Sequence, residues 1–328
     1  MQDAVVRSDV SGDDATTSAV SAQAIMGRFL RKPGFLLARI DQICTLIYGE
    51  ISAGETLAQA EFLLLLDALG AVSQITLARA AGVDKSTTAY VLDNLQIRGW
   101  IERAACSDDR RRILVSLLPA GASRIRRIRS DYAELQRRLV LPLHDAEITR
   151  LVAALHKLGS NSMSPAPLWT PACDPAVGVL DGALSFLSRR ALQLFQAQFV
   201  ACTPGLNLTL RQFSLLFILS LHPSITQVGF ARLFGLDPST CGVILRGLTS
   251  RGLIVFGASP RDRRERLYSI TPAGRAVLIE VQPLVDRSER LVFRGDSAAQ
   301  IRWMVRQLQA IVCVYSHRLR FPGAIGGS

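Results

Sequence analysis

Two tandem domains, mainly α-helical and each carrying a small β-hairpin, are what this sequence predicts, and three observations predict them. Residues 262–274 read DRRERLYSITPAG and residues 109–121 read DRRRILVSLLPAG. Shifting the chain by 153 positions lays 84–121 on 237–274 without a gap, and 17 of the 38 positions are identical. Between the copies lies GSNSMSPAPLWTPACDP (159–175), whose four prolines exclude a continuous helix. A repeat of this length is a whole domain rather than a solenoid unit. The expected division is a disordered leader (1–27), a first domain (28–158), the linker (159–175), a second domain (176–320) and a tail (321–328). Extended, the linker would span up to about 55 Å, enough for the copies to sit side by side.

The elements of each copy read in the same order. LAQAEFLLLLDAL (57–69) and LRQFSLLFILSL (210–221) are apolar helices. Short helices follow near 74–81 and 227–234, closed by Gly82 and Gly235 as C-terminal glycines. Asp84 and Asp237 are N-caps for the next helices, and Pro238 takes the favoured first position. Those helices end at Arg98-Gly99 and Arg251-Gly252, with positive charge at the C-terminal dipole. Short strands flank a charged turn at 101–105 and 113–117, and at 254–257 and 266–270. Pro119 and Pro272 open long helices running through about 140 and 290. A last helix closes each copy, roughly 145–158 and 296–319.

Composition bounds the function. Lys and Arg outnumber Asp and Glu 38 to 27, for a net charge of +11, which favours a polyanionic partner. No run approaches the roughly 20 apolar residues that cross a bilayer, so no membrane partner is expected. The first residues are acidic where a signal peptide is basic, so the expected compartment is the cytoplasm. Six scattered cysteines (44, 106, 173, 202, 241 and 313) form no Cys-x-x-Cys pair and the chain has four His, so neither a metal site nor a cofactor is expected. No nucleophile–base set, phosphate loop or paired-acid motif stands out, so the chain is not expected to be an enzyme.

Helix, turn, helix and charged hairpin make a winged helix-turn-helix. The second helix of that motif enters the major groove by its N-terminal end, where small donors and acceptors serve. KSTTAY supplies Lys85, Ser86, Thr87, Thr88 and Tyr90; PSTCGV supplies Ser239 and Thr240, with Arg246 further along. Hairpin arginines suit phosphates or a narrow minor groove. Arg110, Arg111 and Arg112 occupy one tip, and Arg261, Arg263, Arg264 and Arg266 the other.

GVDKSTTAYVLDNLQIRGWI…DDRRRILVSLLPAG and GLDPSTCGVILRGLTSRGLI…RDRRERLYSITPAG resemble the MarR family of bacterial winged-helix regulators, over most of both halves. The resemblance implies pairing through first and last helices, here as an intramolecular pseudo-dimer on double-stranded DNA. It implies that Asp109 and Asp262 brace wing arginines Arg111 and Arg264, which reach the DNA. It implies a ligand-responsive regulator, more often a repressor, associated with the nucleoid and released by a small aromatic acid or phenol. Such ligands sit between the pairing helices and the DNA-binding lobe, where Arg39, Tyr48, Arg189, Arg190 and His222 are the candidate polar groups. Cys44 lies in the first helix, where some peroxide sensors of the family carry a reactive cysteine; its counterpart in the 153-residue register is Ala197. The chain departs from the family at Tyr90 and Val243, where an arginine is frequent, at Leu118, where threonine is usual, and in Gly242 and Gly247 within a helix. An asymmetric operator is therefore expected. Two other readings compete: a replication initiator built of tandem winged helices, and a protein-interaction scaffold with weakened DNA binding.

Overall fold

A computed structural model describes residues 22–105, 113–161, 163–171, 178, 180–222, 224–258 and 265–319. The chain opens with α1 (Ala22–Phe29). Copy one follows as α2 (Pro33–Ile51), α3 (Leu57–Leu69), β1 (Val72–Ser73), α4 (Gln74–Ala81), α5 (Lys85–Ile97), β2 (Ile101–Ala105), β3 (Ile113–Leu117), α6 (Pro119–Ala122), α7 (Ile125–Leu139) and α8 (Asp145–Gly159). Copy two repeats the order as α9 (Leu184–Cys202), α10 (Leu210–Leu221), β4 (Ile225–Thr226), α11 (Gln227–Phe234), α12 (Pro238–Ser250), β5 (Ile254–Ala258), β6 (Arg266–Ile270), α13 (Pro272–Val292) and α14 (Ala298–Tyr315), with a 3-10 turn at Ser316–Arg318.

Local chemistry explains why the copies fold alike. Thr56 and Gln59 form a capping box at α3, and Thr209 and Gln212 form the same box at α10. Gly82 (φ 60°) and Gly235 (φ 70°) close α4 and α11 in the left-handed region, which glycine enters without a Cβ penalty. The repeated Pro-Ala-Gly has a packing reason as well: a Cβ on Gly121 would collide with the Trp100 carbonyl oxygen, and one on Gly274 with that of Leu253. Each hairpin gains a third strand that the sequence pattern does not announce, in the antiparallel orders β1-β3-β2 and β4-β6-β5. Val72 pairs with Val115 and Ile225 with Tyr268. Two-residue strands carry too little alternation to be read.

Four expectations need correcting. The leader does not stay unstructured to residue 27, because Ala22–Phe29 is helical and Ile25, Met26 and Phe29 are buried in the core of copy two. The helix expected from Pro119 through 140 is interrupted after Ala122. Its N-cap position holds Leu118, which offers no side-chain acceptor, whereas Thr271 Oγ1 accepts from Gly274 N at 3.0 Å and α13 runs unbroken. The first helices correspond through a shift of 151 rather than 153, since Pro33–Ile51 matches Leu184–Cys202 in length and in its Arg-x-x-Gln. The linker is not a free tether: Trp169 is buried against Phe186 and His156, and Thr170 N donates to Arg79 O at 3.1 Å.

The core ignores the boundary between copies. α2 packs on α9 and α14, and α8 packs on α9. One continuous cluster joins Leu36, Ile40 and Ile47 of α2 to Leu184 and Ala191 of α9 and to Leu308 and Val312 of α14. Polar ties cross the same seam: Lys157 to Asp296 at 2.6 Å, Arg318 to Glu50 at 2.8 Å, and the Arg150 guanidinium 4.0 Å over the Trp303 ring. The second cluster holds the winged-helix lobe of copy two together with Phe29 and Phe35 from the start of the chain.

Candidate nucleic-acid interface and the cleft behind it

α11 and α12 meet at 117°, within the range of helix-turn-helix pairs. The second helix of each pair buries one stripe and exposes the rest. In α5, Thr88, Val91, Leu92 and Leu95 are buried, while Lys85, Ser86, Thr87 and Tyr90 are exposed. In α12, Cys241, Ile244, Leu245 and Leu248 are buried, Ser239, Val243 and Arg246 are exposed, and Thr240 is half-buried. Thr88 thus leaves the expected contact set: its side chain is fully buried and Oγ1 donates to Asp84 O at 2.8 Å.

The N-caps engage the hydroxyls expected at the groove. Asp84 accepts from Ser86 Oγ at 2.5 Å and from Thr87 N and Oγ1 at 2.9 Å each. These donors hold its carboxyl down to about 2. Asp237 accepts from Ser239 Oγ, Thr240 Oγ1 and Thr240 N, and is held lower still. With their protons committed to the aspartates, these hydroxyls have only acceptor capacity left.

The copies diverge between helix and wing. Arg103 on β2 binds Asp93 and Gln96 on α5 at 2.5 Å each, which neutralises the acid. In copy two the corresponding residues are Phe256 and Arg246. Arg246 is exposed beside Gly242, where a Cβ would stand 3.2 Å from its Nη1. Arg266 is exposed at the start of β6, its guanidinium 4.6 Å over the Phe256 ring. Arg110, Arg111, Arg112, Arg261, Arg263, Arg264, Asp109 and Asp262 lie outside the described residues.

Behind the reading heads, a cavity of about 260 Å³ opens between α2 of copy one and α10 and α13 of copy two. Its wall is rich in phenylalanine (Phe29, Phe35, Phe195, Phe213, Phe217 and Phe234), and Arg28, Lys32, Arg39 and Arg211 bring positive charge to it. Lys32 is engaged by Glu289 at 3.0 Å and Asp286 at 3.6 Å. Burial lowers Arg39 to about 10, which leaves it charged at neutral pH, and it donates to Gly235 O at 3.0 Å.

Of the five expected pocket residues, only Arg39 lines this cavity. Tyr48 is buried with its hydroxyl 3.4 Å from Glu55, and burial pushes it up out of its usual range. Arg190 donates to Gly159 O and Gln193, and His222 Nδ1 lies 2.6 Å from Ser224 O. Arg189 pairs with Glu61 at 2.6 Å. Glu61 and Tyr132 belong to no motif in the sequence, although a glutamate inside EFLLLLDAL is a visible signal. Cys44 is the reverse of a reactive cysteine: it is buried, and burial beside Asp41 and Glu61 pushes its thiol well up. Its helix counterpart is Phe195 rather than Ala197. Among the described residues no cluster could hold a metal ion, and no single helix is long and apolar enough to cross a membrane.

Residues 56–113 match one family model described as MarR family, and residues 206–265 match a second of the same description. The chain is similar to the HTH-type transcriptional repressor Mb2911 of Mycobacterium bovis, 27% identical over 131 residues, or 40% of this chain and 94% of the relative. It is also similar to the HTH-type transcriptional regulator PecS of Dickeya dadantii, 30% identical over 27% of this chain and 53% of that protein. Among solved structures, the repressor CouR bound to a 23-mer DNA duplex is 30% identical, with 41% of this chain and 95% of that chain covered at a TM-score of 0.39.

Proposed function

The chain carries two MarR-family domains and is a DNA-binding transcriptional regulator, and from that premise we propose that it works as a single-chain pseudo-dimer whose halves read unlike half-sites and which an aromatic anion releases. The observation that carries this reading is the crosswise cleft. One wall comes from the pairing helix α2 of copy one and the other from the lobe that bears α12, so a molecule seated there touches both the pairing seam and a reading head. Phenylalanines suit an aromatic ring, and Arg28, Arg39 and Arg211 suit its negative charge. A ligand that fits the cleft in only one arrangement of the heads would shift their spacing and weaken DNA binding. Repression is the sign of regulation that goes with such release.

DNA contact is assigned to Lys85, Ser86, Thr87 and Tyr90 in copy one and to Ser239, Thr240 and Arg246 in copy two. Ser and Thr act there as acceptors, and the wing arginines take phosphates. Tyr90 on one helix and Arg246 on the other make unlike readers, which supports an asymmetric operator.

The test is selection of binding duplexes from a random pool, then footprinting and anisotropy titration with the full chain. An asymmetric site is expected, with Arg111→Ala and Arg264→Ala each weakening binding and each making the salt slope shallower by about one unit. A perfect inverted repeat with equal protection of both arms would refute the unlike-halves reading. Unchanged affinity in both arginine variants would refute the wing assignment.

A further inference from the structure

The cleft of copy two has a counterpart position in copy one, and there side chains meet one another. Two features of the surrounding frame recur on both sides. Arg39 donates to Gln42 on one first helix and Arg190 to Gln193 on the other. Phe29 lies 5.5 Å from Phe35, and Trp169 lies 5.4 Å from Phe186. The side chains that meet across the middle differ. First-helix positions match through a shift of 151 and later ones through 153, so Ala38 corresponds to Arg189, Ser214 to Glu61, Val285 to Tyr132 and Gly34 to Ser185. At all four positions the open side has the smaller residue.

In copy one, Arg189 reaches across the seam from α9 to Glu61 on α3 at 2.6 Å, with its guanidinium 5.3 Å over the Phe186 ring. Tyr132 donates to Glu61 at 3.4 Å and lies 3.2 Å from Ser185 Oγ, to which Gln136 Nε2 donates at 2.7 Å. Glu61 is 2% exposed. A flat cation on an aromatic ring facing a buried carboxylate satisfies internally what a ligand would otherwise satisfy.

We propose that the Arg189–Glu61 pair has closed the copy-one pocket, leaving one effector site per chain, on the copy-two side, for an aromatic anion. This rests on the reading of the open cleft as the effector site. Its consequence is one-sided sensing: the effector moves the α12 head while the ion pair holds the α5 head, and saturation is hyperbolic.

The experiment is a stoichiometric titration of the full-length protein with anilinonaphthalene sulfonate, a fluorescent aromatic anion, followed by duplex-DNA anisotropy with and without dye. Wild type is expected to bind one dye per chain. Ala38→Arg with Ser214→Glu is expected to bind none, and Glu61→Ser with Arg189→Ala is expected to bind two. Should that last double variant fail to fold, Glu61→Ser alone breaks the pair while keeping the Arg189 cation for the dye's sulfonate, and is likewise expected to bind two. Zero or two dyes on wild type, one dye on the closing variant, or one dye on a folded opening variant each overturns the proposal. One dye on wild type that leaves DNA affinity unchanged removes the effector reading while upholding the count of sites.

Discussion

Copy one and copy two share a backbone and differ in what fills the space behind it. On the copy-two side, Ala38 of α2 stands with Ser214 and Val285 around a cavity; on the copy-one side, Arg189 of α9 meets Glu61, which Tyr132 also touches. The capping boxes of α3 and α10, the left-handed glycines and the Pro-Ala-Gly glycines recur in both, because backbone geometry demands them whatever the surface binds. The exposed side chains of α5 and α12 and those around the cleft answer to no such demand, and there the copies have parted. A duplication thus separates what builds the domain from what specialises it.

The comparison breaks most readily at the ion pair. Glu61→Ala leaves Arg189 facing the buried side of the seam without its carboxylate and should cost about 3 kcal/mol in urea unfolding. Ser214→Ala, at the matching position, should cost less than about 0.5 kcal/mol, since its hydroxyl bonds only within its own helix. Equal costs would mean that the two sites are not differently filled. Removing both partners, as in Glu61→Ser with Arg189→Ala, should recover most of the loss.

A smaller effect tests the helix after each wing. Thr271→Ala should cost about 1 kcal/mol by uncapping α13, and Leu118→Thr should gain up to about 1 kcal/mol by supplying the missing cap of α6. Circular dichroism and thermal unfolding read both. A loss on Leu118→Thr would show that the interruption after Ala122 has a cause other than the cap.

The smallest effect is with acid. Asp84 and Asp237 are both held below the usual carboxylate range by the hydroxyls and amides they cap. A depressed folded value contributes stability above the unfolded value near 3.8, and that contribution fades as pH falls through about 2 for Asp84 and lower for Asp237. Carboxyl NMR titration should therefore show Asp84 protonating before Asp237, with Asp84→Asn removing its share of the acid sensitivity. The reverse order would contradict the tighter cap in copy two.

Most of the fold was legible in sequence because its signals are local. An N-cap aspartate, a terminal glycine or a proline at the first helical position acts within one turn of where it stands, and the repeat showed each twice. Legibility failed where the cause lay elsewhere in the chain. Ala22–Phe29 is a helix because Phe29 meets Phe35, Phe217 and Phe234. Thr88 resembled its neighbours in sequence but faces inward. Arg39 in copy one and Arg189 in copy two were like candidates for a ligand pocket, yet one lines a cavity and the other is paired beside Phe186.

By itself, then, the sequence determined the duplication, the order of helices and strands, the caps, the family and the DNA-binding class, because each rests on short-range geometry or on residues compared in register. Tertiary structure alone decided that the copies share one core, that the cleft is walled by both of them, and that Arg189 meets Glu61 on the opposite side. Those outcomes depend on which side chains meet across a separation of more than a hundred residues, and on whether the pair that meets is Ala38 with Ser214 or Arg189 with Glu61.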